Sequence, residues 1–398
     1  MALIDLWKTS RSQLEDKNVQ QVITFAGDGR LVDNGSASLE FRAFLQQVPT
    51  ELLGHYAVEC LATAFPNSGL ALQDVVNEVG SRLGFKIVRG RYRGVSNQIG
   101  FDGLWQYPNG HSVVVEVKTT DAYRIDLNKI AGYRHDLIAD AKAKENTTSI
   151  LIVVGRQDTG DLEAQIRGSR HAWDVRLISV DALLRLLALK EQVEDPTTIK
   201  RIHELLIPRE FTRLDEIAEI LFSTAEDIKQ EEPVEEEEET GDGTKKHKPK
   251  FRPVAFHDAC AARIQAHLGQ SLTKRSRATF TSPDGTLAVV CAVSKRHADG
   301  GYWFAFHPYQ KELLEGSTPG FVAFGCGSSD KVLLIPIRDF SPWVSGMGIT
   351  EVEGGYYWHV TIHEGKDKLV LYRRKGEPRI DLTPYLLPAD VEKPQATA

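Results

Sequence analysis

The chain has 398 residues, too many for one ordinary hydrophobic core, so two or more domains are expected. Its 41% apolar and 26% charged residues exclude a fibrous or wholly disordered chain. The net charge of −7 misleads as a total, because residues 226–242 hold much of the acid and leave the rest near neutral and locally basic. No run approaches the roughly 18 apolar residues that cross a bilayer. The first fourteen residues, charged early, have no signal-peptide core, so a cytoplasmic protein without a membrane partner is expected. Cys60, Cys260, Cys291 and Cys326 lie far apart with no CxxC pair, which argues for buried thiols against a zinc ribbon or disulfide framework.

Taken in order, residues 1–69 read as a helical region, with helical periodicity from Ser38 to Ala64 and a break at Pro66–Gly69. Ala71–Leu83 follows with Leu72, Val75, Val76, Val79 and Leu83 on one helical face, and Gly84 stops it as a C-cap. Strands are expected at Phe85–Val88, Gly100–Gln106 and His111–Lys118, the last two joined by a hairpin at Tyr107-Pro108-Asn109-Gly110. A helix over Leu127–Lys144, a buried strand Ser149–Val154, a helical turn Leu162–Ile166, a strand Val175–Ser179 and a helix Val180–Leu189 complete residues 70–225. This order predicts an α/β architecture, a mixed sheet flanked by helices. Residues 226–250, with a run of glutamates, then lysines, and few apolar side chains, cannot offset their ordering entropy and read as a charged disordered linker. Residues 251–390 open with a helix, Ala255–Leu268, and become a β-rich α+β domain with seven expected strands between Ala278 and Arg373.

The chemistry concentrates in Phe101-Asp102-Gly103-Leu104-Trp105 and Val113-Val114-Val115-Glu116-Val117-Lys118. Strand alternation puts Glu116 and Lys118 on one face and Val115 and Val117 on the other. Asp102, on the preceding hairpin strand, falls close enough to share the site. Two carboxylates and a lysine on an apolar sheet are costly unless they pair or bind an ion. Asp102, Glu116 and the carbonyl of Val117 are the donors magnesium takes. Such an ion activates water and neutralises charge on a phosphate, while Lys118 orients or deprotonates that water. Glu78, on the helix packed against the sheet, is a further candidate ligand.

This pattern, D102-x13-E116-x-K118 after a helix with Glu78, resembles the PD-(D/E)XK nuclease superfamily over roughly residues 70–190. It departs at one letter, Phe101 standing where the motif names proline. The resemblance implies a restriction endonuclease-like fold and a magnesium-dependent DNA endonuclease of prokaryotic restriction or phage-defence type. Its catalytic residues would be Asp102, Glu116, Lys118 and Glu78. Cutting both strands needs two such sites, so a homodimer or pairing on DNA is expected. Alternatives are a repair or recombination nuclease acting on ends or branches, and a non-catalytic DNA-binding module on a nuclease scaffold. No G-x-x-x-x-G-K-[ST] segment is present, so no ATP site is expected.

Basic and polar residues near the site are candidates for DNA contact: Arg91 and Arg93, Thr119 with Thr120 and Asp121, Lys129 and Arg134, and Gln165, Arg167 and Arg170. In the second domain Lys274, Arg275, Arg277, Lys295 and Arg296 alternate with aromatics such as Trp303, a mixture suited to base stacking beside phosphates. Asp284 and Lys295 echo the first motif, but Val293 stands where its second acid would be.

Overall fold

A computed structural model describes residues 2–62, 65–92, 99–108, 110–119, 124–155, 160–208, 256–297, 300–352, 355–365 and 368–388. The expected linker, Arg93, Asn109, Thr120 and Asp121 lie outside the described residues. The chain divides into two compact units, 1–225 and 226–398. No helix among the described residues is long and apolar enough to cross a membrane.

The first unit begins with helices α1 (Ala2–Thr9), α2 (Ser12–Glu15), α3 (Val19–Phe25), α4 (Ser36–Leu45) and α5 (Thr50–Ala62). The single periodic stretch expected over Ser38–Ala64 is two helices, parted where Pro49 cannot continue the hydrogen-bond ladder. Helix α6 (Ser68–Leu83) follows and ends on Gly84 in the left-handed conformation, φ 108°. It starts a turn earlier than the apolar pattern predicts.

A five-stranded sheet then forms in the order β1 (Lys86–Arg89), β2 (Gly103–Gln106), β3 (Ser112–Lys118), β4 (Thr148–Val154), β5 (Val175–Ser179). The first three strands are antiparallel and the last three parallel, so the sheet is mixed. The hairpin forms as expected, with Tyr107 donating its N–H to the His111 carbonyl at 2.8 Å and Gly110 turning at φ 87°. Strand β4 lies between parallel neighbours and is buried along its whole length, which explains its unbroken apolar run. Crossovers use α7 (Leu127–Ala139) and α8 (Gly160–Arg167), and α9 (Val180–Lys190) and α10 (Pro196–Glu204) follow. Helix α7 stops short of Lys144 because Ala141 turns at φ 55°.

Each sheet face has its own core. Val113, Val115, Leu151, Val153 and Trp105 join the helices α1–α6 and α9 on one side. Leu104, Val114, Ile150, Ile152 and Val154 meet α7 and α8 on the other.

In the second unit α11 (His257–Leu268) covers one face of a sheet ordered β11 (Val332–Pro336), β10 (Gly320–Cys326), β8 (Ala288–Ser294), β7 (Thr279–Thr281), β6 (Thr273–Lys274). Its other face packs on a second sheet built of β9 (Gly301–Phe306), β12 (Gly348–Val352), β13 (Gly355–Glu364), β14 (Leu369–Tyr372) and β15 (Ile380–Asp381). Helices α12 (Pro308–Glu315) and α13 (Ile337–Val344) close that core, and the sequence reading lacks both. All four cysteines are buried and free.

Helix α6 packs closely on β2 at Gly80, where an added Cβ would lie 2.5 Å from the buried Trp105 indole. Gly80→Ala should therefore destabilise the protein by about 1–3 kcal/mol, read as a lower denaturation midpoint at unchanged slope. A neutral result would show that this contact does not set the helix–sheet spacing.

Candidate active site

Strand β3 delivers two charges to one place. Its Val113, Val115 and Val117 point into the helical core, so Glu116 and Lys118 emerge together on the α7 side. There the Lys118 Nζ donates to Glu116 Oε1 at 2.5 Å. Glu116 is buried and the lysine side chain remains 35% exposed, so its ammonium keeps access to solvent.

Asp102 immediately precedes β2, whose register pairs Gly103 with Val115. Its N–H donates to the Val115 carbonyl at 3.1 Å, and its Oδ2 accepts the Val117 N–H at 2.7 Å. The carboxylate is thereby fastened across the strand pair, beside Glu116. The Asp102 carbonyl accepts three donors: Gly90 N at 3.1 Å, Gln73 Nε2 at 3.0 Å and Asn77 Nδ2 at 3.0 Å. Asn77 also accepts the Trp105 indole N–H at 2.9 Å, and a Cβ on Gly103 would lie 2.2 Å from the same Asn77 oxygen. Gly90 is likewise obligatory, since a Cβ there would sit 1.7 Å from the Phe101 carbonyl.

Sequence reasoning misses Gln73 and Asn77. Two carboxamides four residues apart on an apolar helix, followed by Gly80, are the signal that would have marked this stripe as the one facing the strand.

Glu78, expected as the fourth member of the site and its third acid, lies among arginines in this structure. It belongs to the adjacent stripe of α6, where it pairs with Arg82 at 3.2 Å and Arg89 at 3.8 Å, two per cent exposed. Asp74, one turn earlier, takes Arg42 at 2.8 Å, Arg89 at 3.5 Å and the Tyr92 hydroxyl. Arg82 further donates to the carbonyls of Leu45 and Val48 and to the Thr50 hydroxyl. This network ties α6 to the amino-terminal helices and gives Glu78 a scaffold role.

The electrostatics of the trio are strained. Desolvation first, and then repulsion from Glu116, push the Asp102 carboxyl up to about 7, against the Val117 N–H and Lys118, which favour its charged form. Lys129, at the start of α7, is raised by Tyr133 and, to a smaller degree, by Glu116.

The remaining candidates divide. Thr119 is exposed just past β3. Arg91 lines, with Arg89, Phe101, Leu104 and Lys142, a cavity of about 560 Å³. Arg170 contacts Asn128 at 3.4 Å in a cleft of about 680 Å³, and Arg167 is exposed at the end of α8. Two candidates serve the fold instead. Gln165 clasps the backbone of Ile125 through both its amide groups, and Arg134 donates to the carbonyls of Thr148 and Glu145. In the second unit Lys274 pairs with Asp258 at 3.5 Å, and Arg275 donates to the Thr281 hydroxyl at 2.8 Å. Arg277 and Trp303 are half-buried, while Lys295 and Arg296 are exposed. Asp284 closes its own turn, accepting from Thr286 N at 3.1 Å.

The raised Asp102 carboxyl sets a stability prediction. Below its unfolded value of 3.8 both states hold the proton; as pH rises from there to about 7 the unfolded chain ionises first, and folding stability falls. With divalent ions chelated, Asp102→Asn should melt above the parent at pH 8, by about 2–4 °C for each kcal/mol relieved. The gap should shrink as pH falls toward 4. An Asn variant that melts lower at pH 8 would show that the charge is not under strain.

No family model matches the chain, and no curated protein matches it. Solved structures similar to it include one described as "Restriction endonuclease PspGI-substrate DNA complex", with a TM-score of 0.23 and 10% sequence identity over 57% of this chain and 92% of that one. At this TM-score the likeness bears on neither fold nor function.

Proposed function

We propose that the first unit is the core of a magnesium-dependent DNA endonuclease of restriction or phage-defence type. The observation that supports it best is the meeting of Asp102, Glu116 and Lys118 on one sheet face, two carboxylates and an ammonium at the end of β3. Among the described residues no third His, Cys, Asp or Glu side chain joins the two acids. Two carboxylates and a backbone carbonyl fit magnesium, which keeps several waters and takes one or two carboxylates. Burial, and then repulsion from Glu116, raise Asp102, and a divalent cation held by these acids would offset both.

Asp102, Glu116 and the Val117 carbonyl would hold the ion. When bound, it lowers the pKa of its water and neutralises charge on the scissile phosphate. The residues of the chain do the positioning. Val117 N–H fixes one oxygen of Asp102, Gln73 and Asn77 fix its peptide, and Glu116 holds the Lys118 ammonium. Lys118 can then orient the attacking water and offer its charge to the phosphate as the P–O bond breaks. A double-strand break calls for two copies of the site, hence a homodimer or pairing on DNA.

Asp102→Ala and Lys118→Ala should each lower magnesium-dependent cleavage of duplex DNA by at least about 10²–10³-fold while leaving duplex binding in place. Glu78→Gln should lower the melting temperature and leave the rate per folded molecule near that of the parent. Undiminished cutting in both site variants would refute the assignment. A panel of modified and unmodified duplexes, ends and branches separates the defence reading from repair.

Proton and metal compete for Asp102, so cleavage at limiting magnesium should fall as pH drops through about 7. Raising the magnesium concentration should move that acid limb to lower pH. A limb that ignores magnesium would place the titrating group elsewhere.

A further inference from the structure

The second unit presents one sheet face that neither of its cores uses. Along β9, Tyr302, Phe304 and Phe306 are buried, whereas Trp303 and Ala305 are half-exposed. Along β13, Val360 and Ile362 are buried, whereas Tyr357, His359, Thr361 and His363 are half-exposed. The register sets Trp303 opposite Thr361 and Ala305 opposite His359, so these residues share the outer face. Aromatic side chains of a strand are ordinarily core, and here the alternation separates the core rings from a second set.

The outer rings pack on one another. Tyr357 stacks on His359 with centroids 5.5 Å apart and planes 18° apart, and Trp303 stands edge-on to both, at 6.0 and 5.6 Å. His307 continues the row from Tyr357 to Tyr309. The Trp303 indole N–H donates to His359 Nδ1 at 3.4 Å, so the imidazole proton is assigned to Nε2, which reaches the Thr350 hydroxyl at 2.5 Å. These bonds fix the rings in advance of any ligand.

We propose that this face binds a single-stranded segment of nucleic acid, its bases stacking on Trp303, Tyr357 and the neighbouring imidazoles. Charge supports that occupant. Among the described residues the outward positions of β9 and β13 hold no carboxylate. At the edge formed by β14 and β15 Arg379 lies 4.1 Å over the Tyr372 ring, itself packed against His363, and Asp381, which the register places on this face opposite Val370, is paired with Lys368 at 3.0 Å. The described part of the unit also holds more Lys and Arg than Asp and Glu. Stacking rings bordered by cations are the elements of a single-strand platform.

The test uses the full chain with divalent ions chelated, so the outcome does not depend on whether the first unit cuts DNA. Fluorescence anisotropy follows a labelled oligothymidine of about 15 nucleotides, and a duplex of the same length serves as the comparison. Trp303→Ala and Tyr357→Ala should each weaken oligothymidine binding roughly ten-fold or more, with duplex binding within about two-fold of the parent. Trp303→Phe should recover most of the loss. Thr361→Glu removes no ring and adds a carboxylate to the face; it should weaken the same binding several-fold, which keeps the test valid if an Ala variant misfolds. Unchanged oligothymidine binding in folded variants overturns the proposal, as does an equal loss for duplex and single strand. Sedimentation that shows self-association lost while oligothymidine binding stays intact also overturns it, by making the face a contact between copies.

Discussion

The first unit turns on one side chain, the carboxamide of Asn77. Its Nδ2 donates to the carbonyl of Asp102 and its Oδ1 accepts from the Trp105 indole, so a single buried group measures the spacing between α6 and β2. An amide is suited to this because it offers a donor and an acceptor at fixed geometry, and burial makes either one costly to leave unpaired. The contact requires Gly103 and Gly80, since side chains there would occupy the space of the Asn77 oxygen and the indole. Everything chemical follows from where this leaves Asp102. Its own carbonyl is held from the helix side and its carboxylate by the Val117 N–H from the strand side, which keeps the residue beside Glu116. The raised Asp102 carboxyl is thus a consequence of packing, because a mobile aspartate would turn its charge toward water.

Helix α6 separates two kinds of work by stripe. Gln73, Asn77 and Gly80 face the strand, and Asp74 and Glu78 face the arginines. The second set is expensive, for it removes two carboxylates from water and recovers the cost only through well-placed partners. What it secures is the docking of the amino-terminal helices, because Arg82 reaches the carbonyls of Leu45 and Val48, where α4 gives way to α5. Helices this short have little stability of their own and depend on such tertiary bonds.

Those stripes explain how far the sequence was legible. The alternation Val113-Val114-Val115-Glu116-Val117-Lys118 defines the strand and its polar face by itself, and the structure pairs Glu116 with Lys118 as that alternation requires. Gly84 and the turn before His111 were equally readable, because each depends on backbone rules that act locally. Glu78 was not readable as a scaffold residue from its charge alone. The arginine four residues on was the available sign, an i,i+4 partner on the same face. The division at Pro49 and the helices α12 and α13 were lost for another reason: segments of eight to ten residues give too few turns for a period to show. Trp303 was legible as an aromatic but not as a surface one, since its exposure depends on which face of β9 a distant strand leaves open.

The two units also show how one order of elements can support different chemistry. Each contains a helix followed by three antiparallel strands, and in each the third strand later gains a parallel neighbour: α6, β1–β3 and β4 in the first unit, α11, β6–β8 and β10 in the second. In the first unit the third strand ends on Glu116 and Lys118 with Asp102 fastened beside it. In the second the corresponding strand carries Val293 before Lys295, and Asp284 is consumed by its own turn. Among the described residues no paired acids stand at that strand end. The added sheet of β9 and β12–β15 supplies another surface, because its inner side completes a core and thereby orients every second ring outward. Burial and display on that sheet are a single alternation, so a one-residue slip of β13 against β9 would put Trp358 and Val360 where Tyr357 and His359 now stand.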